Sequence, residues 1–99
     1  MAARDARREL ARLDAVFACL AHRTRRQILL ALGLRGGRMT AGQIAARFDC
    51  SWPTTSRHLR QLEAAGLVRV ESRGRERVYV LCGAELRRTV GDWLAHFES

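Results

Sequence analysis

Leu10, Leu13, Phe17 and Leu20 recur at helical spacing with arginines and acids on the other faces, which predicts an amphipathic helix from about Asp5 to Leu20. A second helix is expected over roughly His22 to Leu34, with Ile28, Leu29 and Leu32 apolar, and it stops at the Gly36, Gly37 pair. Arg38 and Met39 can add a very short strand. Thr40 begins a third helix with a capping box: its hydroxyl accepts from the Gln43 amide while the Gln43 side chain reaches back to the Thr40 amide. Ile44, Ala45 and Phe48 form the apolar face of that helix.

The run SWPTTSRHLRQLEAAGL predicts a fourth helix, with Ser51 as N-cap, Pro53 in the first turn and Gly66 as the stop. Only FDCS separates helices three and four, and two amphipathic helices joined by so short a turn match the helix-turn-helix signature. After Gly66 the period changes. LVRVES and RVYVLC are β-branched and aromatic runs joined by SRGRE, so they predict a hairpin, with Arg73, Arg75 and Arg77 near its tip. A last helix from about Ala84 to Phe97 carries Leu86, Val90, Trp93, Leu94 and Phe97 on one stripe. The expected fold is mainly α with a small β-wing, in the order ααααββα, and residues 1–99 make one domain.

Charge sharpens this picture by its position. The chain has a formal charge of +8 and a sequence pI ≈ 11.3, and all 18 basic residues are arginine. Residues 21–60 hold eight arginines against the single acid Asp49, a local balance of +7, while the flanks are nearly neutral. A field concentrated on the helix-turn-helix segment points to a polyanion as partner, with double-stranded DNA the first expectation.

A rotation of about 100° per residue groups Trp52, Thr55, Leu59, Leu62 and Gly66 on one face of the fourth helix and turns Thr54, Arg57 and Gln61 the other way. Pro53, Ser56, His58 and Arg60 flank them. The outer face bears donors and acceptors and no acid before Glu63. Base edges and phosphates demand that chemistry: Arg forks onto guanine, Gln onto adenine, and hydroxyls with the helix N-terminus hold phosphate oxygens. The candidate DNA-contacting set is Thr40, Ser51, Trp52, Thr54, Thr55, Ser56, Arg57, His58, Arg60 and Gln61, with Arg73, Arg75 and Arg77 on the wing. Trp52 stays open between core and groove, because the rotation turns it inward while its place at the helix start allows a contact with DNA.

LAHRTRRQILLAL, TAGQIAARF, SWPTTSRHLRQLEAAGLV and RGRERVYVL together resemble the winged helix-turn-helix repressors of the ArsR/SmtB type, over nearly the whole chain. The resemblance implies a homodimer that represses transcription from an imperfect palindrome in a promoter, often its own. Metal sensors of that family carry a cysteine pair in the third helix, and TAGQIAARFDC has none. Their alternative set lies in the last helix, where this chain offers only Asp92 and His96, so neither metal nor other cofactor is expected. The chain looks more like the metal-independent branch.

Leu10, Leu13, Phe17, Val90, Trp93, Leu94 and Phe97 remain as apolar stripes once one small core is filled, and they are the candidate dimer interface. Cys19, Cys50 and Cys82 are too widely spaced for a disulfide framework, which suits a cytoplasmic protein. Nothing suggests export, and no apolar run reaches the roughly 20 residues of a membrane span. Cys50, just before the recognition helix, leaves a thiol-responsive repressor as an alternative, alongside a metal-responsive one. The rival from another class is a winged-helix module whose basic face binds an acidic protein. No phosphate loop, metal triad or nucleophile arrangement suggests an enzyme.

Overall fold

The computed structural model describes residues 2–98, in the order α1 (Ala2–Leu20), α2 (Arg23–Leu34), β1 (Arg38–Thr40), α3 (Ala41–Arg47), α4 (Trp52–Ala64), β2 (Val68–Arg73), β3 (Glu76–Leu81) and α5 (Gly83–Ala95). The expected ααααββα order stands, and the short strand completes a three-stranded antiparallel sheet in the order β1-β3-β2. Met39 lies opposite Tyr79, which lies opposite Val70; Arg38 and Arg69 both lie opposite Val80. Strand alternation therefore turns Met39 and Tyr79 to the core, while Arg38, Arg69 and Glu71 share the other face with Val78 and Val80.

Local signals set most of the helix ends. His22 caps α2, its Nδ1 accepting from the Thr24 amide at 3.2 Å. The capping box at Thr40 is complete: its hydroxyl accepts from the Gln43 amide at 3.1 Å, and Gln43 Oε1 accepts from the Thr40 amide at 2.9 Å. Gly66, at φ +77°, lets α4 close with a Schellman pair, Leu67 N to Leu62 O at 3.0 Å and Gly66 N to Glu63 O at 3.0 Å. Two ends differ from expectation. α1 starts at Ala2 rather than near Asp5, since Ala2 and Ala3 favour helix and Asp5 then sits in the first turn, where the dipole suits an acid. α5 runs from Gly83 to Ala95 rather than from Ala84 to Phe97.

The core lies where α1, α2, α3, α4 and the sheet meet. Val16, Ile28, Leu32, Ile44, Leu59, Leu62 and Leu67 are fully buried in it. Burying a leucine of this kind is worth about 2 kcal/mol, so Leu59 and Leu62 together clamp one face of α4 to the body. The opposite face is left to the solvent.

Candidate nucleic-acid interface

The four residues Phe48–Ser51 separate α3 from α4, as the FDCS spacing predicts. Ser51 Oγ accepts from the Thr54 amide at 3.4 Å and donates to Thr54 Oγ1 at 3.1 Å, so the start of α4 is capped by the hydroxyls expected to meet phosphate. Pro53 sits in the first turn, where its missing N–H removes no helical bond. Arg57, Arg60 and Gln61 are exposed, and Thr54 and Ser56 are half-buried. Arg60 donates to Ser56 Oγ at 3.2 Å across one turn. Thr40 is half-buried at the start of α3. Trp52, which the rotation turned inward, is 40 % exposed at the first residue of α4.

Two members of the expected contact set do not reach the surface. Thr55 is only 1 % exposed, because it lies one turn before Leu59 on the stripe that docks α4, and its Oγ1 has no hydrogen-bond partner. His58 is 8 % exposed. It occupies the flank that meets the start of α2: its ring lies 4.3 Å from the His22 ring, and its Nδ1 lies 3.5 Å from Nη1 of Arg25. Burial first, then the charges of His22, Arg25 and Arg57, push the His58 imidazole below its ordinary pKa.

The hairpin turns on Gly74 and Arg75, with Gly74 at φ +60° as the first of the two loop residues, the position a II′ turn reserves for glycine. The turn is thus tighter than SRGRE. Arg73 and Arg77 belong to the strands, Arg75 alone to the turn, and all three are exposed. The wing is tied back at its base, where the Glu71 carboxylate accepts from Arg38 and, at 3.0 Å, from Arg69. Those hydrogen bonds, from Arg38 foremost, hold the Glu71 carboxyl below the usual carboxylate range.

Away from this surface, α1 packs on α5. Phe17 and Trp93 meet edge-on at 5.0 Å, and Trp93 and Phe97 at 4.9 Å. Phe97 is 68 % exposed and Leu10 60 %, and Trp93 and Leu94 are also exposed. Leu13 and Phe17 are half-buried, and Val90 is drawn toward the protomer's own core. Arg12 and Arg88 both reach Glu85 along the same seam.

From the sequence alone Arg25 and Arg26 count only as charge. In the structure they bind the end of α1: Arg25 Nε donates to the Cys19 carbonyl at 2.8 Å, and Arg26 Nη1 to the Leu20 carbonyl at 2.8 Å. The available signal was an arginine pair just past a helix end, where the last carbonyls need donors. Among the described residues no cluster of three or more His, Cys, Asp or Glu can hold a metal ion, and no helix is long and apolar enough to cross a membrane. The three cysteines are free; burial pushes the Cys19 thiol up in pKa.

Residues 20–71 match the helix-turn-helix domain family. The chain is 35% identical over 85 residues to the transcriptional repressor SdpR of Bacillus subtilis (strain 168), covering 86% of this chain and 91% of that protein. Among solved structures it is similar to an ArsR-like transcriptional regulator from Rhodococcus sp. RHA1, at 35% identity and a TM-score of 0.73, covering 89% of this chain and 88% of that one. It is also similar to a homodimeric winged helix-turn-helix DNA-binding domain from Mycobacterium bovis, at 26% identity and a TM-score of 0.72, covering 90% of this chain and 82% of that one.

Proposed function

The chain belongs to the ArsR-type winged-helix family of DNA-binding transcriptional repressors, which are not enzymes, and on that footing we propose that it acts as a homodimer on a palindromic operator in the cytoplasm. The observation that carries this is the division of α4. Leu59 and Leu62 anchor one face, and Arg57, Arg60 and Gln61 stand in solvent on the other, next to an arginine-bearing wing. Arg57 is assigned to guanine and Gln61 to adenine, each by a bidentate contact in the major groove. Ser51, Thr54, Ser56 and Thr40, with the amides at the start of α4, take phosphate oxygens. Trp52 supplies an apolar plate beside the groove. Arg73, Arg75 and Arg77 take phosphates or the minor groove, and Arg60 holds the backbone beside Ser56.

Dimerisation through α1 and α5 is supported by the exposed Leu10, Trp93, Leu94 and Phe97, and by the homodimeric state of the Mycobacterium bovis domain. A two-fold axis there sets the two copies of α4 into successive major grooves, roughly 34 Å apart, and occupancy of the promoter blocks polymerase. The test is competition between the promoter fragment of the protein's own gene and random duplex at moderate salt, with the solution mass measured in parallel. A dimer that prefers the promoter fragment is expected. A monomer binding one half-site at full affinity, or equal binding to all duplexes, overturns the proposal.

A further inference from the structure

The recognition helix is joined to the rest of the protomer by a part-buried polar contact that its DNA-facing side does not use, in which His58 is buried, Arg25 half-buried and His22 exposed. His58 of α4 lies against His22, the cap of α2, with 4.3 Å between ring centroids and the ring planes tilted by 50°, and its Nδ1 lies 3.5 Å from Nη1 of Arg25. The same guanidinium donates to the last carbonyls of α1, through Nε to Cys19 at 2.8 Å and through Nη2 to Ala18 at 3.4 Å. One side chain therefore touches three helices: α1, which carries part of the exposed apolar stripe; α2, on which it stands; and α4, which carries the reading face.

A guanidinium has donors only. The contact with Nδ1 is attractive when that nitrogen is an unprotonated acceptor and repulsive when it carries a proton. His22, one step away, caps α2 by accepting from the Thr24 amide at its own Nδ1. The groups whose charge reaches His58 are His22 and Arg25 from the start of α2 and Arg57 from its own helix, and all of them are basic. From α1 the cluster receives backbone carbonyls, which accept from Arg25, and among the described residues no carboxylate pairs with Arg25 or acts on His58 to balance a second cation. At 8 % exposure there is little water to do so either.

We propose that His58 and Arg25 are positioning residues that set the angle of the recognition helix against the dimer helix α1, and that their contact makes operator selectivity sensitive to protons. Protonated His58 leaves its pocket or pushes Arg25 off the α1 carbonyls, and α4 loses its fixed orientation. The direction follows from linkage: the docked state binds fewer protons than a state with His58 in water. Selectivity is therefore complete above the free-histidine pKa of about 6.5 and is lost as pH falls below it. Non-selective attraction to DNA moves the opposite way, since every added proton raises the positive charge. The ratio of operator to random-duplex affinity isolates the effect.

The inference rests on the operator reading proposed above. Its test is that ratio, measured with the full chain at fixed salt at pH 7.5 and pH 5.5 for the native protein, His58→Asn and Arg25→Lys. The native ratio should fall by at least about threefold, with a ceiling near tenfold per protomer set by one proton taken up one pH unit below a pKa of about 6.5. His58→Asn keeps an acceptor for Arg25 without a titrating group, and its ratio should stay level. Arg25→Lys, which loses the fork onto α1, should have a lower ratio already at pH 7.5. A native ratio that does not change with pH overturns the inference, as does an equal fall in His58→Asn. Absence of any operator preference at pH 7.5 instead sinks the operator reading, and this inference with it. Should His58→Asn unfold, the His58 ring proton resonances in the native protein decide: a midpoint below that of a free histidine is expected, and an ordinary midpoint contradicts the account.

Discussion

The molecule exposes two faces of opposite character. Along α4 and the wing the outward side chains are mostly arginines, glutamine and hydroxyls, with Arg60 held to Ser56 across one turn and the wing tied back through Glu71 to Arg38. Along α1, α5 and the residues just after α5, the exposed large apolar side chains are Leu10, Trp93, Leu94 and Phe97, with Arg12 and Arg88 at their edge paired to Glu85. Polar groups left open to solvent gain from a partner that brings complementary charge; apolar groups gain from being covered. On the proposed reading the first face answers to salt and base sequence and the second to protein concentration, so the two can be perturbed independently.

The largest expected effect is on the apolar face. Trp93→Ala removes a ring that meets both Phe17 and Phe97, and loss of a central aromatic should weaken dimerisation by about 2–4 kcal/mol. Sedimentation equilibrium over a range of concentrations measures this, and binding to a half-site should survive. Next comes Arg57→Ala, with a loss of about 1–3 kcal/mol for the operator and a relaxed base preference at one position per half-site. Fluorescence anisotropy on operator and single-base variants separates that pattern from a uniform loss. Ser51→Ala removes the α4 cap and should cost about 1 kcal/mol of stability, read from denaturant melts. Arg75→Ala, at the wing turn, should weaken operator and random duplex alike and reduce the slope of log affinity against log salt by about one. Thr55→Val sharpens the boundary between reading face and core: DNA affinity should not change, and stability should hold or rise slightly, because a buried hydroxyl without a partner is removed.

Much of this was legible in the sequence because it is local. The capping box at Thr40, the Ser51 cap, the FDCS turn and the stop at Gly66 are each decided within a few residues. So is the outward turn of Arg57 and Gln61, which follows from helical rotation once Leu59 and Leu62 face the core. What rotation alone does not give is which neighbour covers a flank. His58 lies on the side of α4 that α2 approaches, so a residue expected to reach DNA is buried instead. Thr55 follows the rotation inward, against its place in the contact set. Trp52 departs from it, because one residue into a helix the body no longer covers the inward side. The anchoring of the wing through Arg38 and Glu71 depends on β1 pairing with β3, a contact between residues about forty apart in sequence that no local pattern announces.

Selection of bound fragments from random-sequence DNA is the decisive measurement for a homodimer on a palindromic operator, because it reads base preference and symmetry at once. An inverted repeat should be enriched, with half-site centres about 10–10.5 base pairs apart or a multiple of that, and with two protomers on each fragment. Recovery of fragments without a shared sequence, or of single half-sites each holding one protomer, would contradict it.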